Sequence, residues 1–251
     1  MKGAILIISC EKHRFTRVPK YRLPEPEYAG WKVFYVFANR FLDRDYVFDG
    51  DTLTVKSEDS YLHLAKKIGI AFRAVLSEFE IEEGILRCGD DLMFNTDTLM
   101  RFLTSEKKSD YMGVCWNART DIHMRPKRVD NYMVDYYRNR KQEFEDSLQG
   151  LPPYDSVMRM YDIPWIQGAS GVMTYFSKQS CEYILQELDD IQWDITRYDP
   201  IYGFVYIIED IAYACILSKR SIFAKEYPMW TENDIEFAHG KYIAFHTNDS
   251  K

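Results

Sequence analysis

Two runs near the start of the chain, Gly3–Ser9 (GAILIIS) and Trp31–Phe37 (WKVFYVF), are almost wholly apolar and rich in β-branched and aromatic residues. A strand with one wet face alternates apolar and polar side chains. These runs do not alternate, so both faces of each strand are expected to be covered. Between and after them lie helical patterns. Tyr61, Leu64, Ile68, Phe72 and Val75 recur every three to four residues, with Asp59 or Ser60 placed to cap that helix. Asn95-Thr96-Asp97 opens a second helix running through Leu103, Ser177 caps a third reaching Leu188, and Ile211–Leu217 reads as a fourth. Further strands are expected at Gly84–Cys88, Asp110–Trp116, Val172–Phe176, Ile201–Ile208 and Ser221–Ala224. Gly168-Ala169-Ser170-Gly171 reads as a small-residue loop leading into Val172. Glu11–Gly30, with Pro19, Pro24 and Pro26 among Arg14, Arg17, Lys20 and Arg22, reads as loop or irregular helix. Strand alternating with helix predicts an α/β fold with a mainly parallel sheet and helices on both faces. At 251 residues the chain is expected to be one domain, 1–251.

Composition narrows the function. Lys and Arg number 32 against 39 Asp and Glu, a net charge of −7, which argues against a uniformly basic nucleic-acid binder. No run approaches the roughly 18 apolar residues of a membrane span. Ala4–Ile8 is too short for the apolar region of a signal peptide, so a cytoplasmic chain, or one cut free of an anchor, is expected. Cys10, Cys88, Cys115, Cys181 and Cys215 are scattered without a CxxC pair, which predicts buried reduced thiols, not a zinc ribbon, and favours a reducing compartment.

Ligands of such sheets sit beyond the C-terminal ends of the strands. Two acidic pairs fall there: Asp90-Asp91, after Gly89, and Glu209-Asp210, after an apolar run. A charged pair wedged between apolar runs lies at the edge of the core and needs a partner. For Asp90-Asp91 the choices are a tight turn or a hard divalent cation, Mg²⁺ or Mn²⁺, bridging phosphate oxygens. For Glu209-Asp210 they are a helix start, with Asp210 complementing the dipole, or a general base. Gly-Asp-Asp also marks metal-dependent nucleotidyl transferases, but no basic template channel is evident.

Four segments carry a family resemblance. Asp59–Lys67 (DSYLHLAKK) is similar to the "D-S-Y-x-N-L-T-x-K" helix of the β-1,3-galactosyltransferase and N-acetylglucosaminyltransferase group. Ile85–Asn95 (ILRCGDDLMFN) resembles its "F-x-x-K-x-D-D-D-x-F-V-N", Tyr161–Ser177 resembles its "Y-P-x-Y-x-x-G-x-G-Y-V-L-S", and Glu209–Ala214 its "E-D-V-y-v-G". The order is the same and the span is roughly residues 5 to 220.

The resemblance implies a GT-A type α/β/α sandwich. Residues 1–115 would form the nucleotide-sugar-binding half, and 116–251 the acceptor-binding and catalytic half. It implies a UDP-sugar donor, Mn²⁺ or Mg²⁺, a glycan or glycoprotein acceptor, and inversion at the anomeric carbon. Carried over by position, Asp91 is a metal ligand with a late histidine, His246 or His239. Asp59, Tyr61, Lys67 and Asp90 meet the nucleotide, and Lys67 or an arginine of the Arg14–Arg22 segment, Arg14 among them, adds positive charge at the phosphates. Asp210 is the base, and Trp165, Gly168, Gly171 and Glu209 line the acceptor side. Trp116, Trp165 and Tyr175 are candidates for stacking on sugar rings. The chain departs from the group at Gly89, which stands for the first acid of its triplet, and at His63, which stands for asparagine. A non-catalytic glycan-binding protein is the alternative reading.

Overall fold

The computed structural model describes residues 1–59, 63–119, 165–189 and 209–247. In chain order these form β1 (Gly3–Ile8), a short helix α1 (Arg17–Lys20), β2 (Glu27–Tyr28), β3 (Trp31–Ala38), β4 (Tyr46–Asp49), β5 (Thr52–Val55) and α2 (Leu64–Glu78). Then come β6 (Gly84–Gly89), β7 (Leu92–Phe94), α3 (Thr96–Thr104), β8 (Tyr111–Arg119), β9 (Trp165–Ser177), α4 (Lys178–Asp189) and α5 (Glu209–Lys219). The last elements are β10 (Lys225–Glu226), β11 (Trp230–Thr231), α6 (Asp234–Ala238) and β12 (Ala244–His246).

Among the described residues the main sheet has the order β10-β8-β9-β6-β1-β3-β5-β4, with β2 beside β3. β6, β1, β3 and β5 are parallel. β9 runs against both β6 and β8, and β4 against β5, so all the other strands on this path share one direction. A second, smaller sheet has the order β11-β12-β7.

The continuous apolar runs are explained by what covers them. On one face α2, α4 and α5 pack together over Ala4, Leu6, Phe34 and Val36. Phe72 of α2 sits at their junction, its ring centroid 5.5 Å from Phe176 of β9 and 6.0 Å from Tyr213 of α5. The Tyr213 hydroxyl donates to the Ala65 carbonyl at 2.8 Å, so this buried phenol is satisfied. On the other face α3 and the small sheet supply Leu99, Phe102, Leu103, Met229 and Ile243 against Ile5, Trp31, Val33 and Tyr35. The result is the three-layer α/β/α sandwich that alternating strands and helices predict. No helix among the described residues is long and apolar enough to cross a membrane. Cys88, Cys181 and Cys215 are buried, and Cys10 and Cys115 half-buried.

Two of the expected caps are formed. Asn95 accepts the amide of Thr98 at 3.0 Å, and Ser177 Oγ accepts that of Ser180 at 3.1 Å. Removing the first, Asn95→Ala, is expected to cost about 1 kcal/mol of unfolding free energy in a urea titration. Of the two caps predicted for α2, Asp59 does not serve as one. That helix starts at Leu64 behind His63, whose side chain makes no capping bond, and Asp59 is drawn instead to Glu11 and Lys67. Ser60 lies outside the described residues.

Three other expectations change. Gly168–Gly171 is not a separate loop but lies within β9. The strand expected at Ser221–Ala224 is a turn, with Ser221 at φ 59°, and only Lys225–Glu226 pair. Tyr175 is 2% exposed and packs on Trp31 and Phe102, so it belongs to the core and is not a sugar platform. The strand expected at Ile201–Ile208 lies outside the described residues.

Candidate active site

β3 and β5 lie to one side of β1 and β6 to the other, so the chain changes its direction of travel across the sheet between β1 and β6. The crevice beyond the C-terminal ends of those two strands is where ligands of open α/β sheets bind. Ser9 follows β1 and Asp90 follows β6. Ser9 Oγ donates to Asp90 Oδ2 at 2.7 Å, His13 Nδ1 lies 2.9 Å from the same oxygen, and Arg17 Nη1 donates to Asp90 Oδ1 at 3.2 Å. Beneath them Lys67, 2% exposed, donates to the Ser9 carbonyl and, at 2.7 Å, to Asp59 Oδ1. Asp59 Oδ2 accepts the amide of Glu11 at 2.8 Å. Burial depresses the Lys67 pKa, and the Asp59 carboxylate opposes that shift.

Asp91 stands where the chain leaves the main sheet and enters the small one at Leu92. Antiparallel pairing of β7 with β12 sets Leu92 opposite His246, and the Thr247 amide and hydroxyl donate to the Asp91 carbonyl at 3.1 and 3.0 Å. Strand register therefore brings His246 Nε2 to 3.4 Å from Asp91 Oδ2. The other ring nitrogen lies 3.2 Å from Glu232 Oε1. The Asp91 hydrogen bond raises the His246 pKa, against burial, with Glu232 adding to the rise. For Asp91, burial pushes upward, but the bond and charge of His246 together with Arg17 outweigh it and hold the carboxyl below its ordinary value. His239, the other histidine considered, is the exposed C-cap of α6.

No group of three or more His, Cys, Asp or Glu converges on a point among the described residues. Asp91 and His246 offer one carboxylate and one imidazole. That set fits a hard divalent ion that completes its shell with substrate phosphates and water, and does not fit an ion held by protein ligands alone.

The second acidic pair is reached through a break in the ladder. Gly113 of β8 pairs with Thr174 and Cys115 with Ala169, so Val114 alone stands opposite Ser170–Met173 of β9. The surplus residues must leave the ladder as a bulge. Thr174 Oγ1 donates to the Ser170 carbonyl at 2.7 Å across its base. The bulge carries Gly171 to the first turn of α5, where its amide donates to Asp210 Oδ2 at 3.3 Å; Asp210 Oδ1 accepts the Ile211 amide at 2.9 Å. Only glycine suits this approach, because a Cβ there would lie 2.8 Å from Glu209 Oε2. That same carboxylate oxygen pairs with Arg87 Nη2 of β6 at 3.2 Å, and both side chains are buried. At Gly89 the fit is less strict: a Cβ would stand 3.0 Å from Asp91 Oδ1, which would have to shift slightly, and at ordinary contact, 3.6 Å, from the Val172 carbonyl. The bulge thus lies beside Gly89, the residue before the first acidic pair, through Val172, and against Asp210 of the second through Gly171.

Burial pushes the Glu209 carboxyl up to about 7, against the pull of Arg87. Burial also raises the Asp210 pKa, and the Gly171 amide opposes it. A half-buried carboxylate on a helix N-terminus, held by two backbone amides, is oriented and starved of water. Both are properties of a proton acceptor.

The fold brings Asp59, Lys67, Asp90, Asp91 and His246 to the switch point, and Gly171, Glu209 and Asp210 to the bulge. It alters several expected parts. Lys67 is turned inward onto Ser9 and Asp59, so it pins the crevice floor and does not face the phosphates. Arg14 pairs with Glu11 at 2.9 Å and lies 3.9 Å over the Phe37 ring, while Arg17 meets the acids instead. Glu209 is 5% exposed and occupied by Arg87, which removes it from the acceptor side. Gly168 is a packing glycine opposite Trp116, whose indole fills the place of a side chain. Trp165 pairs with Arg119 at the start of β9, and Tyr61 lies outside the described residues.

Ser9, His13 and Arg87 are the partners that the sequence reading missed, and Arg17 is the arginine of the Arg14–Arg22 segment that it did not single out. A lone arginine in an apolar strand signalled Arg87, since a buried cation requires a buried acid. A cavity of about 490 Å³ lined by Glu83, Lys107, Asp110 and Ser177 opens at the opposite end of β6, away from both acidic pairs.

Comparison with solved structures finds many of similar overall course, and two serve as examples. Mouse xyloside xylosyltransferase 1 in its apo form is 9% identical with a TM-score of 0.41, over 100% of this chain and 99% of that one. The inositol-1-phosphate CTP transferase from T. maritima is 11% identical with a TM-score of 0.41, over 90% of this chain and 85% of that one. Likenesses of this strength bear on neither activity nor substrate. No curated protein matches. Residues 40–194, more than half of the chain, match the family described as Galactosyltransferase, and they include the first acidic pair, the bulge and all of α2 and β6. The chain belongs to the galactosyltransferase family and is a glycosyltransferase.

Proposed function

We propose that this glycosyltransferase moves a sugar from a UDP-sugar to a glycan hydroxyl with inversion, in a reaction that depends on Mn²⁺ or Mg²⁺. Galactose, N-acetylglucosamine, glucose and xylose are the candidate sugars. The observation that carries the reading is the bulge at Ser170–Met173: its Val172 carbonyl lies beside Gly89, two residues before the Asp91 that meets His246, and its Gly171 amide orients the half-buried Asp210 carboxylate. A cation held by Asp91 and His246 would neutralise charge on the departing diphosphate. Ser9, His13 and Asp90 fix the crevice floor beneath the nucleotide. Asp210 takes the proton of the acceptor hydroxyl; that oxygen bonds to the anomeric carbon as the bond to the diphosphate oxygen breaks. One base and no covalent nucleophile gives inversion. The scattered cysteines, none in a CxxC pair and three of them buried, support a reducing compartment.

A thermal-shift screen of UDP and the four UDP-sugars tests the reading. Stabilisation is expected with Mn²⁺ and not in EDTA, reaching about 2.7 kcal/mol at a hundredfold excess over Kd. Asp91→Ala should remove it. Equal stabilisation by UDP in EDTA would refute the metal assignment.

A further inference from the structure

Arg17 is the residue whose position the proposed reaction leaves unexplained. Its Nη1 lies 3.2 Å from Asp90 Oδ1 and 3.5 Å from Asp91 Oδ2, so one cationic nitrogen stands where the two carboxylates converge. Ser9 and His13 occupy the other oxygen of Asp90, and His246 faces Asp91 from the small sheet. A divalent ion shared with Asp91 would have to compete with that guanidinium for the same carboxylate. The arginine sits on α1, a helix of four residues whose N-cap makes no side-chain bond. Its side chain is still 14% exposed, so it has a path outward.

We infer that Arg17 is an exchangeable counter-ion: it holds Asp90 and Asp91 together while the crevice is empty, and it moves to the donor's diphosphate when nucleotide and cation enter. The inference rests on the donor reading above. Two carboxylates at the edge of the core repel unless a positive charge lies between them, and a resident arginine supplies it without metal. A diphosphate then offers the guanidinium a planar, two-pronged partner better suited to it than two separate carboxylates. The exchange makes the cation a poor ligand for the empty protein and a good one for the nucleotide-bound protein, so the two enter together.

The test is Mn²⁺ binding followed by electron paramagnetic resonance, and UDP binding by calorimetry, in wild type, Arg17→Gln and Arg17→Lys. Without nucleotide, Arg17→Gln is expected to bind Mn²⁺ at least about five- to tenfold more tightly, the scale of one unit charge at contact distance when fully screened by water. At saturating Mn²⁺ it should bind UDP more weakly by a similar factor, and Arg17→Lys should fall between the two in both measurements. Opposite signs in the two assays distinguish exchange from a general loss of structure. Unchanged or weaker Mn²⁺ binding by Arg17→Gln, with UDP still bound by wild type, overturns the exchange alone. No UDP binding by wild type at any metal concentration overturns the donor reading and this inference with it.

Discussion

Asp210→Asn is expected to lower the rate of sugar transfer by about 10²–10⁴-fold, the usual range for removing a positioned general base, while UDP binding stays as in wild type. The substitution keeps the shape of the side chain and leaves one oxygen to accept a backbone amide from Gly171 or Ile211. What it removes is the capacity to take a proton. Because burial raises the Asp210 pKa above its ordinary value of 3.8, the acid limb of the wild-type pH–rate profile should lie above that of a free aspartate. Rate should rise as pH increases through that limb, since the base acts only when ionised. Single-turnover transfer at the wild-type rate in Asp210→Asn would remove the residue from the chemistry.

Arg87→Met is expected to destabilise the fold by about 3–5 kcal/mol at pH 8, because it strands the Glu209 carboxylate in the core. Glu209 makes that cost pH-dependent. Its pKa is about 7 in the fold against an ordinary 4.5, so the folded state binds the proton more tightly than the unfolded one. The stability that this confers is complete below about 4.5 and is lost as pH rises through about 7. Without Arg87 the carboxyl is pushed higher still, so the variant should be markedly less crippled at pH 6 than at pH 8. Adding Glu209→Gln should recover most of the loss at pH 8, because no charge is then buried. Urea titrations of the two single variants and the double at both pH values give the coupling directly. Equal destabilisation of Arg87→Met at pH 6 and pH 8 would show that Glu209 is not the group left behind.

The parts of this site legible in the sequence are those that local chemistry dictates. Gly3–Ser9 and Trp31–Phe37 could only be doubly covered strands, and an acidic pair ending Gly84–Gly89 had to lie at the sheet rim. Asn95 announced its helix because the cap is built from neighbours in sequence. Residues brought together from afar were legible only through the family resemblance, which left His246 and His239 open. His246 meets Asp91 only because β12 runs antiparallel to β7 in one register; a slip of one residue would turn its side chain to the other face. The bulge in β9 failed for a related reason. Gly168-Ala169-Ser170-Gly171 has the composition of a loop, and only pairing with β8 shows that most of the excess lies from Ser170 onward while Gly168 and Ala169 stay in the ladder. Arg14 and Arg17 could not be ranked without knowing that Phe37 and Glu11 engage the first.

The antiparallel ladder of β8 and β9 also says how this scaffold can be re-purposed. Arg119 and Trp165 are cross-strand partners, so residues 120–164 begin and end at adjacent points of one rigid stem. The cost of closing a chain between two fixed, neighbouring points grows only slowly with its length. The register of Tyr111–Gly113 on Thr174–Phe176, which carries Gly171 to Asp210, is thus set by strands on both sides of that interval. Chimeras joined at Arg119 and Trp165 would measure how far the ladder alone holds the seating of Asp210 when the sequence between them is changed.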